Sequence, residues 1–196
     1  MNPLSRVRCR QVARLHLECL PDSTVSRLGL AYAEAFYRYL GRSPHEAVFT
    51  EVADDEVAGA CVVSLRPKNL RWRLLFRTPL LFRLALSVLG TRRVRHAGRR
   101  GETTVHGPDP LNASTPELIL IFTAPRLRSA GIGTRLLGQC ERFLEERGYA
   151  QYGVRTVAAP DNRARHFYAK NGFTDCGRAV DYGRMFQVFV KGLARR

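Results

Sequence analysis

Apolar positions recur first at helical and then at strand spacing in the N-terminal third. Gln11 to Leu20 reads as a short helix stopped by Pro21-Asp22. Thr24 to Leu40 reads as one longer amphipathic helix ended by Gly41, with Leu28, Ala31, Tyr32, Ala35, Phe36 and Tyr39 facing inward. Valine-rich runs at Ala47 to Val52 and Val57 to Leu65, joined by Ala53-Asp54-Asp55-Glu56, predict a β-hairpin. Regular patterning then lapses from Arg66 to Asn112, read as an insertion, and resumes with ELILIFTA, an apolar run expected of a strand buried on both faces. Thr134 to Arg147 carries an inward stripe of Leu136, Leu137, Cys140, Phe143 and Leu144 and is followed by Gly148. Gln151 to Ala158 reads as a strand, Arg163 to Asn171 as a helix capped by Gly172, and Arg184 to Lys191 as a last strand. The second half is thus expected to run β-α-β-α-β, and residues 1–196 to form one α/β (α+β) domain with the insertion at 66–112 inside it.

Charge changes this picture locally. The net charge is +15, yet 11 cations and no acid lie between Arg66 and Arg100, leaving only +4 for the rest of the chain. Such clustering marks a surface for an anionic partner. Nucleic acid is the less favoured one, because these arginines interleave with large aliphatic residues and offer no stacking platform. Within the segment, Leu70, Trp72, Leu74, Leu75 and Phe76 alternate with Arg71, Arg73 and Arg77. This pattern predicts one or two amphipathic helices that lie on an anionic membrane surface, cover an acceptor cleft, or pack on the domain or on a second copy of the chain. The apolar run Pro79 to Gly90 carries Arg83 and falls well short of the roughly 20 apolar residues a membrane span needs.

Cys9, Cys19, Cys61, Cys140 and Cys176 are scattered, odd in number and form no CxxC pair, so neither a disulfide framework nor a zinc site is expected. His16, His45, His96, His106 and His166 show no metal-ligand spacing, and no metal is expected. His106 and Asp109, just before the buried strand, are the members of this region placed to reach an acceptor. With no long apolar leader segment at Met1 to Arg10, a cytoplasmic location is expected, peripheral to the membrane if the basic segment binds lipid.

The strongest local signal is APRLRSAGIGTRLL, a turn with two glycines between the buried strand and the following helix. Amides of a first helical turn lack intrahelical partners and point outward, and the helix dipole favours negative charge there. Gly131 and Gly133 allow close approach to a phosphate and Thr134 adds a hydroxyl. A P-loop requires lysine after its second glycine, and a dinucleotide-binding fingerprint requires a third glycine; both are missing.

Arg128-x-x-Gly131-x-Gly133 resembles the cofactor motif of the GNAT superfamily of N-acetyltransferases. Downstream, AAPDNRARHFYAKNGF is similar to that superfamily's tyrosine-bearing segment, with Phe167, Tyr168, Lys170, Gly172 and Phe173 in register. The resemblance implies a mixed central sheet flanked by helices, with the basic amphipathic insertion before the fourth strand, and acetyl-CoA as cosubstrate. It further implies a pyrophosphate cradle formed by Arg128, Ser129, Ala130, Gly131, Ile132, Gly133 and Thr134. Backbone groups near Ile121 and Thr123 would pair with the pantetheine arm. Asp161 falls where the superfamily has an asparagine and Asn162 lies one residue late, so either is open as the pantetheine contact. Tyr168 becomes the general acid for the leaving thiolate, in keeping with what a phenol in a partly desolvated cleft can do.

The attacking amine also needs a base. For a primary amine acceptor the resemblance implies Glu117, which opens the buried strand 11 residues before Arg128, with water or another side chain as the alternative. Burial beside apolar neighbours would raise its basicity. The run LHLECLPDSTVSRLGLAYAEAFYRYL with the basic insertion resembles a bacterial GNAT subgroup associated with surface-polysaccharide gene clusters, which implies an amino sugar or sugar-linked acceptor. The contrasting reading is a non-catalytic acyl-CoA-binding adaptor that works through the basic segment.

Overall fold

The computed structural model describes residues 4–77, 104–105, 111–112, 114–159, 161–181 and 184–194. Helix α1 (Arg6–Cys19) starts earlier than the apolar pattern suggests, because Ser5 Oγ accepts the Arg8 amide at 3.2 Å and caps it. The expected helix from Thr24 to Leu40 is two helices, α2 (Thr24–Arg27) and α3 (Leu30–Leu40). Gly29 separates them at φ +86, a left-handed conformation that no helix continues through. The break also rotates the inward face: Ala33, Phe36, Tyr37 and Leu40 are buried, and of the expected stripe only Phe36 is among them.

Strands β1 (Glu46–Ala53) and β2 (Glu56–Ser64) form the expected hairpin, its tight turn made by Asp54 and Asp55 at φ 51 and 61. Helix α4 (Leu70–Arg77) and the short strand β3 (Thr104–Val105) lie inside the basic segment. The apolar run becomes β4 (Glu117–Thr123), followed by α5 (Ile132–Glu145), β5 (Gln151–Val157) and α6 (Ala164–Lys170). The chain then turns into β6 (Thr174–Asp181) before β7 (Arg184–Gly192). The sequence reading omits β6, and the reason is physical. TDCGRAVD carries only scattered apolar residues, with Gly177 in a bulge between Asp175 and Arg178, so it lacks the two-residue alternation of a half-buried strand.

The described sheet has the order β1-β2-β4-β5-β7-β6-β3, antiparallel throughout except for β4 beside β5. Helices α5 and α6 cover one face over a core containing Val63, Leu118, Leu136, Leu144 and Tyr152. Helices α1 and α3 cover the other over Val12, Phe36, Leu40, Val62 and Phe122. In that second layer His16 is wholly buried, its Nδ1 2.6 Å from Tyr37 Oη and its Nε2 2.8 Å from Ser23 Oγ. Burial lowers its pKa to about 4, so the ring is neutral and serves as a hydrogen-bonded core residue.

Candidate active site

The site originates in one extra residue. Along β4, Leu118 faces Val63 of β2 and Leu120 faces Val62, which leaves Ile119 as a bulge. A bulge bends its strand. Pairing between β4 and β5 accordingly stops at Leu118 with Val154, and both strands run on without further partners to each other. A wedge-shaped gap opens between two parallel strands, closed at the Glu117 end and open toward Thr123. The Ala124 amide donates to the Ala58 carbonyl, so alternation along the strand turns the backbone groups of Ile121 and Thr123 toward the gap. The Thr123 carbonyl accepts there from Cys19 Sγ at 3.3 Å, and burial raises that thiol to about 11.

At the open end stands the glycine turn. Ser129 at φ 68 and Gly131 at φ 75 are both left-handed, an arrangement that turns successive amides toward one concave side. Ser129 is strained in this conformation, as residues of ligand-binding loops often are. Arg128, Ser129, Ala130, Gly131 and Thr134 are exposed, while Ile132 is buried under the turn. Arg128 makes no ion pair among the described residues. Arg135 braces the turn from behind, with Nη1 donating to the Ala130 carbonyl at 3.1 Å and Nε to Glu51 on β1 at 2.9 Å. Gln139 also donates to Glu51.

Gly133 has a role that the sequence reading does not assign. A Cβ there would lie 2.9 Å from the Phe167 ring, so the missing side chain lets α6 pack against the first turn of α5. That contact sets how closely α6, which carries Tyr168, approaches α5. Tyr168 is only 4% exposed, and its ring packs against Phe167, Phe173 and Phe189. Burial, with a smaller contribution from the Cys61 thiol, pushes its phenol well above the ordinary tyrosine range, so it holds its proton. His166 takes the other flank of α6, where it lines a cavity of about 400 Å³ with Asn162, Arg165 and Asp175 over Phe173 and Phe189.

Asn162 ties the end of β5 to the start of α6. Its Nδ2 donates to Thr156 Oγ1 at 2.8 Å and to the Val157 carbonyl at 2.7 Å, and its Oδ1 accepts the Ala164 amide at 3.0 Å. Asp161, the alternative, is exposed. Glu117 lies at the closed end, 8% exposed, where its Oε2 accepts from Arg155 Nη1 at 2.6 Å. Arg155 is a partner the sequence reading misses: Glu117 is buried as expected, but beside a guanidinium that supplies its counter-charge and not in the apolar surroundings expected. A polar row crosses the sheet here: Glu117 is paired in register with Ser64, and Ser64 with Glu46. Ser64 Oγ donates to Glu46 at 2.9 Å, and Arg73 of α4 also donates to Glu46, which is completely covered.

His96, His106, Asp109 and most of the expected insertion, including Pro79 to Gly90, lie outside the described residues. Among those described, no cluster of histidine, cysteine, aspartate and glutamate could hold a metal ion, and no helix is long and apolar enough to cross a membrane.

Comparison with solved structures finds the same architecture repeatedly. A crystal structure described as an acetyltransferase matches with a TM-score of 0.65 at 18% identity, over 99% of this chain and 98% of that one. An aminoglycoside 6'-N-acetyltransferase complexed with coenzyme A matches at 0.63 and 14% identity, over 98% and 94%. The ribosomal-protein-S18-alanine N-acetyltransferase of Escherichia coli matches at 0.58 and 11% identity, over 98% and 92%. At such identities the likeness is one of fold. No curated protein matches in sequence. The model of the acetyltransferase (GNAT) family, however, matches residues 10–173, and with that match over most of its length the chain belongs to the acetyltransferase (GNAT) family, whose members are acyl-CoA-dependent N-acyltransferases.

Proposed function

We propose that the chain binds acetyl-CoA along the gap between β4 and β5 and transfers the acetyl group directly to a primary amine. The observation that carries this reading is the coincidence of the gap with the glycine turn: the bulge at Ile119 frees one edge of β4, and an anion-receiving helix terminus stands at its open end. Amides from Ser129 to Thr134 and the Arg128 guanidinium hold the pyrophosphate. Backbone groups of Ile121 and Thr123 pair with the pantetheine amides, as a further strand would. Asn162 contributes by fixing the strand-to-helix corner beside the gap.

Catalysis then needs two proton transfers. As the amine nitrogen bonds to the acetyl carbon and the carbon–sulfur bond breaks, the thiolate takes a proton from Tyr168, whose raised pKa keeps that proton available at neutral pH. The proton lost by the amine passes to Glu117, directly or through water. In keeping with the N-terminal run and the basic segment, the acceptor is an amino sugar or a sugar-linked intermediate. On this reading residues 1–196 form one transferase domain, with the basic segment at 66–112 inside it.

Tyr168→Phe tests the assignment. It removes the proton and keeps the ring, so coenzyme A affinity by calorimetry should stay within twofold, while turnover read by thiol release should fall by roughly 10²–10⁴. Turnover at the wild-type rate in Tyr168→Phe removes Tyr168 from the mechanism. Coenzyme A binding without acetylation of any amine supports the adaptor reading instead.

A further inference from the structure

The closed end of the gap carries a charge arrangement that the transferase reading alone does not explain. Both buried carboxylates there are matched, Glu117 by Arg155 and Glu46 by Arg73. Strand β2 leaves the sheet at Ser64, the residue paired with Glu117, and the next residues of the chain are rich in cations. Between Arg66 and Arg77 the sequence holds five cations, Arg66, Lys68, Arg71, Arg73 and Arg77, and no acid. Arg66 and Lys68 are exposed, and neither makes an ion pair among the described residues. Arg66 follows Ser64 by two residues, a step of at most about 7 Å along an extended chain. Excess positive charge therefore stands beside the carboxylate to which the acceptor amine is brought.

These cations are poorly placed to serve the cosubstrate. The glycine turn follows Thr123, six residues along β4 from Glu117, and a strand of that length separates the two ends by roughly 20 Å. The pyrophosphate end of acetyl-CoA lies at the far end, so the charge at the near end is left for the acceptor. A polycationic acceptor such as an aminoglycoside would meet like charge there, and an amine carrying its own anion would meet opposite charge.

We infer that the acceptor is a primary amine bearing a phosphoryl group, its anion held by Arg66 and Lys68 while its nitrogen lies by Glu117. This rests on the transferase reading. The two are separated by assaying matched amines with acetyl-CoA: ethanolamine against O-phosphoethanolamine, glucosamine against glucosamine 1-phosphate, with kanamycin as the polycationic control. The phosphorylated member of each pair should show kcat/KM at least about tenfold higher, as expected of charge-assisted hydrogen bonds. The preference should shrink in 0.5 M salt, roughly three times the physiological ionic strength. The double variant Arg66→Glu/Lys68→Glu should bring the ratio to unity or invert it. Both side chains are exposed, and an unchanged thermal midpoint excludes a folding defect. Equal or better use of the unphosphorylated amines or of kanamycin overturns the inference and leaves the transferase reading standing, as does a phosphate preference that survives both salt and charge reversal. A chain that acetylates none of these amines while binding coenzyme A overturns both.

Discussion

Replacing Gly133 with alanine sets two effects of opposite sign against each other. Gly133 lies inside α5, and on helix propensity alone the substitution stabilises by up to about 1 kcal/mol. The new methyl, however, would lie 2.9 and 3.0 Å from two carbons of the Phe167 ring, where ordinary carbon contacts need about 3.5–4.0 Å. The ring has to withdraw by roughly 0.6–1 Å, and overpacking of that kind costs about 1–3 kcal/mol. The balance runs from no net change to a loss of about 2 kcal/mol, at most some 4–8 °C in thermal midpoint for a chain of this size. Rate should suffer more than stability. Phe167 and Tyr168 are neighbours on α6 with rings in edge contact, and misplacing a catalytic group by about 1 Å can cost a hundredfold. Gly133→Ala is therefore expected to lower kcat by about 10–100-fold with a modest change in midpoint. Phe167→Leu in the same chain, which removes the obstructing ring edge, should restore at least half of that loss on the logarithmic scale. Measuring kcat by thiol release and unfolding by calorimetry for both single variants and the double closes the cycle. If Gly133→Ala keeps the wild-type rate and gains the full helix-propensity stabilisation, the packing argument is wrong.

Two other predictions address groups around the site. Glu51→Gln removes the charge that fixes Arg135 behind the glycine turn. It should weaken coenzyme A binding roughly fivefold, about 1 kcal/mol, with little change in kcat at saturation; an unaltered dissociation constant would detach Glu51 from the cradle. His16, with a pKa lowered to about 4 from 6.5, binds a proton in the unfolded chain before it does so in the folded one. Its contribution is complete above pH 6.5 and is lost as the pH falls toward 4, by about 1–2 kcal/mol between pH 6.5 and 5. Thermal midpoints of the wild type and His16→Gln should converge on acidification over that window, and parallel curves would contradict the buried neutral ring.

The glycine turn and its setting were legible in the sequence because the pattern is local. Arg128, Gly131 and Gly133 lie within six residues, and a strand before with a helix after supply the setting. What was not legible depends on register between distant segments. Arg155 meets Glu117 across 38 residues, and only the parallel pairing of Glu117 with Gly153 brings them together. Gly133 reads as a residue that admits phosphate until α6 is in place and Phe167 fills the space over it. The single helix expected from Thr24 to Leu40 failed because periodicity carries through a glycine even when the backbone does not. Strand β6 was missed because the bulge between Asp175 and Arg178 interrupts its two-residue alternation, and its pairing with β7 depends on register between separate segments.

The bulge at Ile119 has a consequence for chain length. Without that residue the strand would read Glu117, Leu118, Leu120, Ile121, Phe122, Thr123. These side chains already point alternately to the two faces, with Leu118 and Ile121 toward α5 and α6, and Leu120 and Phe122 toward α1 and α3. A chain lacking Ile119 thus has every core residue correctly directed and no cause to bend β4 away from β5. It should fold and melt cooperatively with the gap zipped shut and coenzyme A affinity gone. A bulgeless chain that still binds coenzyme A would show that the gap has another origin. By this account the difference between an inert scaffold and a working enzyme is a single codon, and its product matters for the length it adds more than for the side chain it brings.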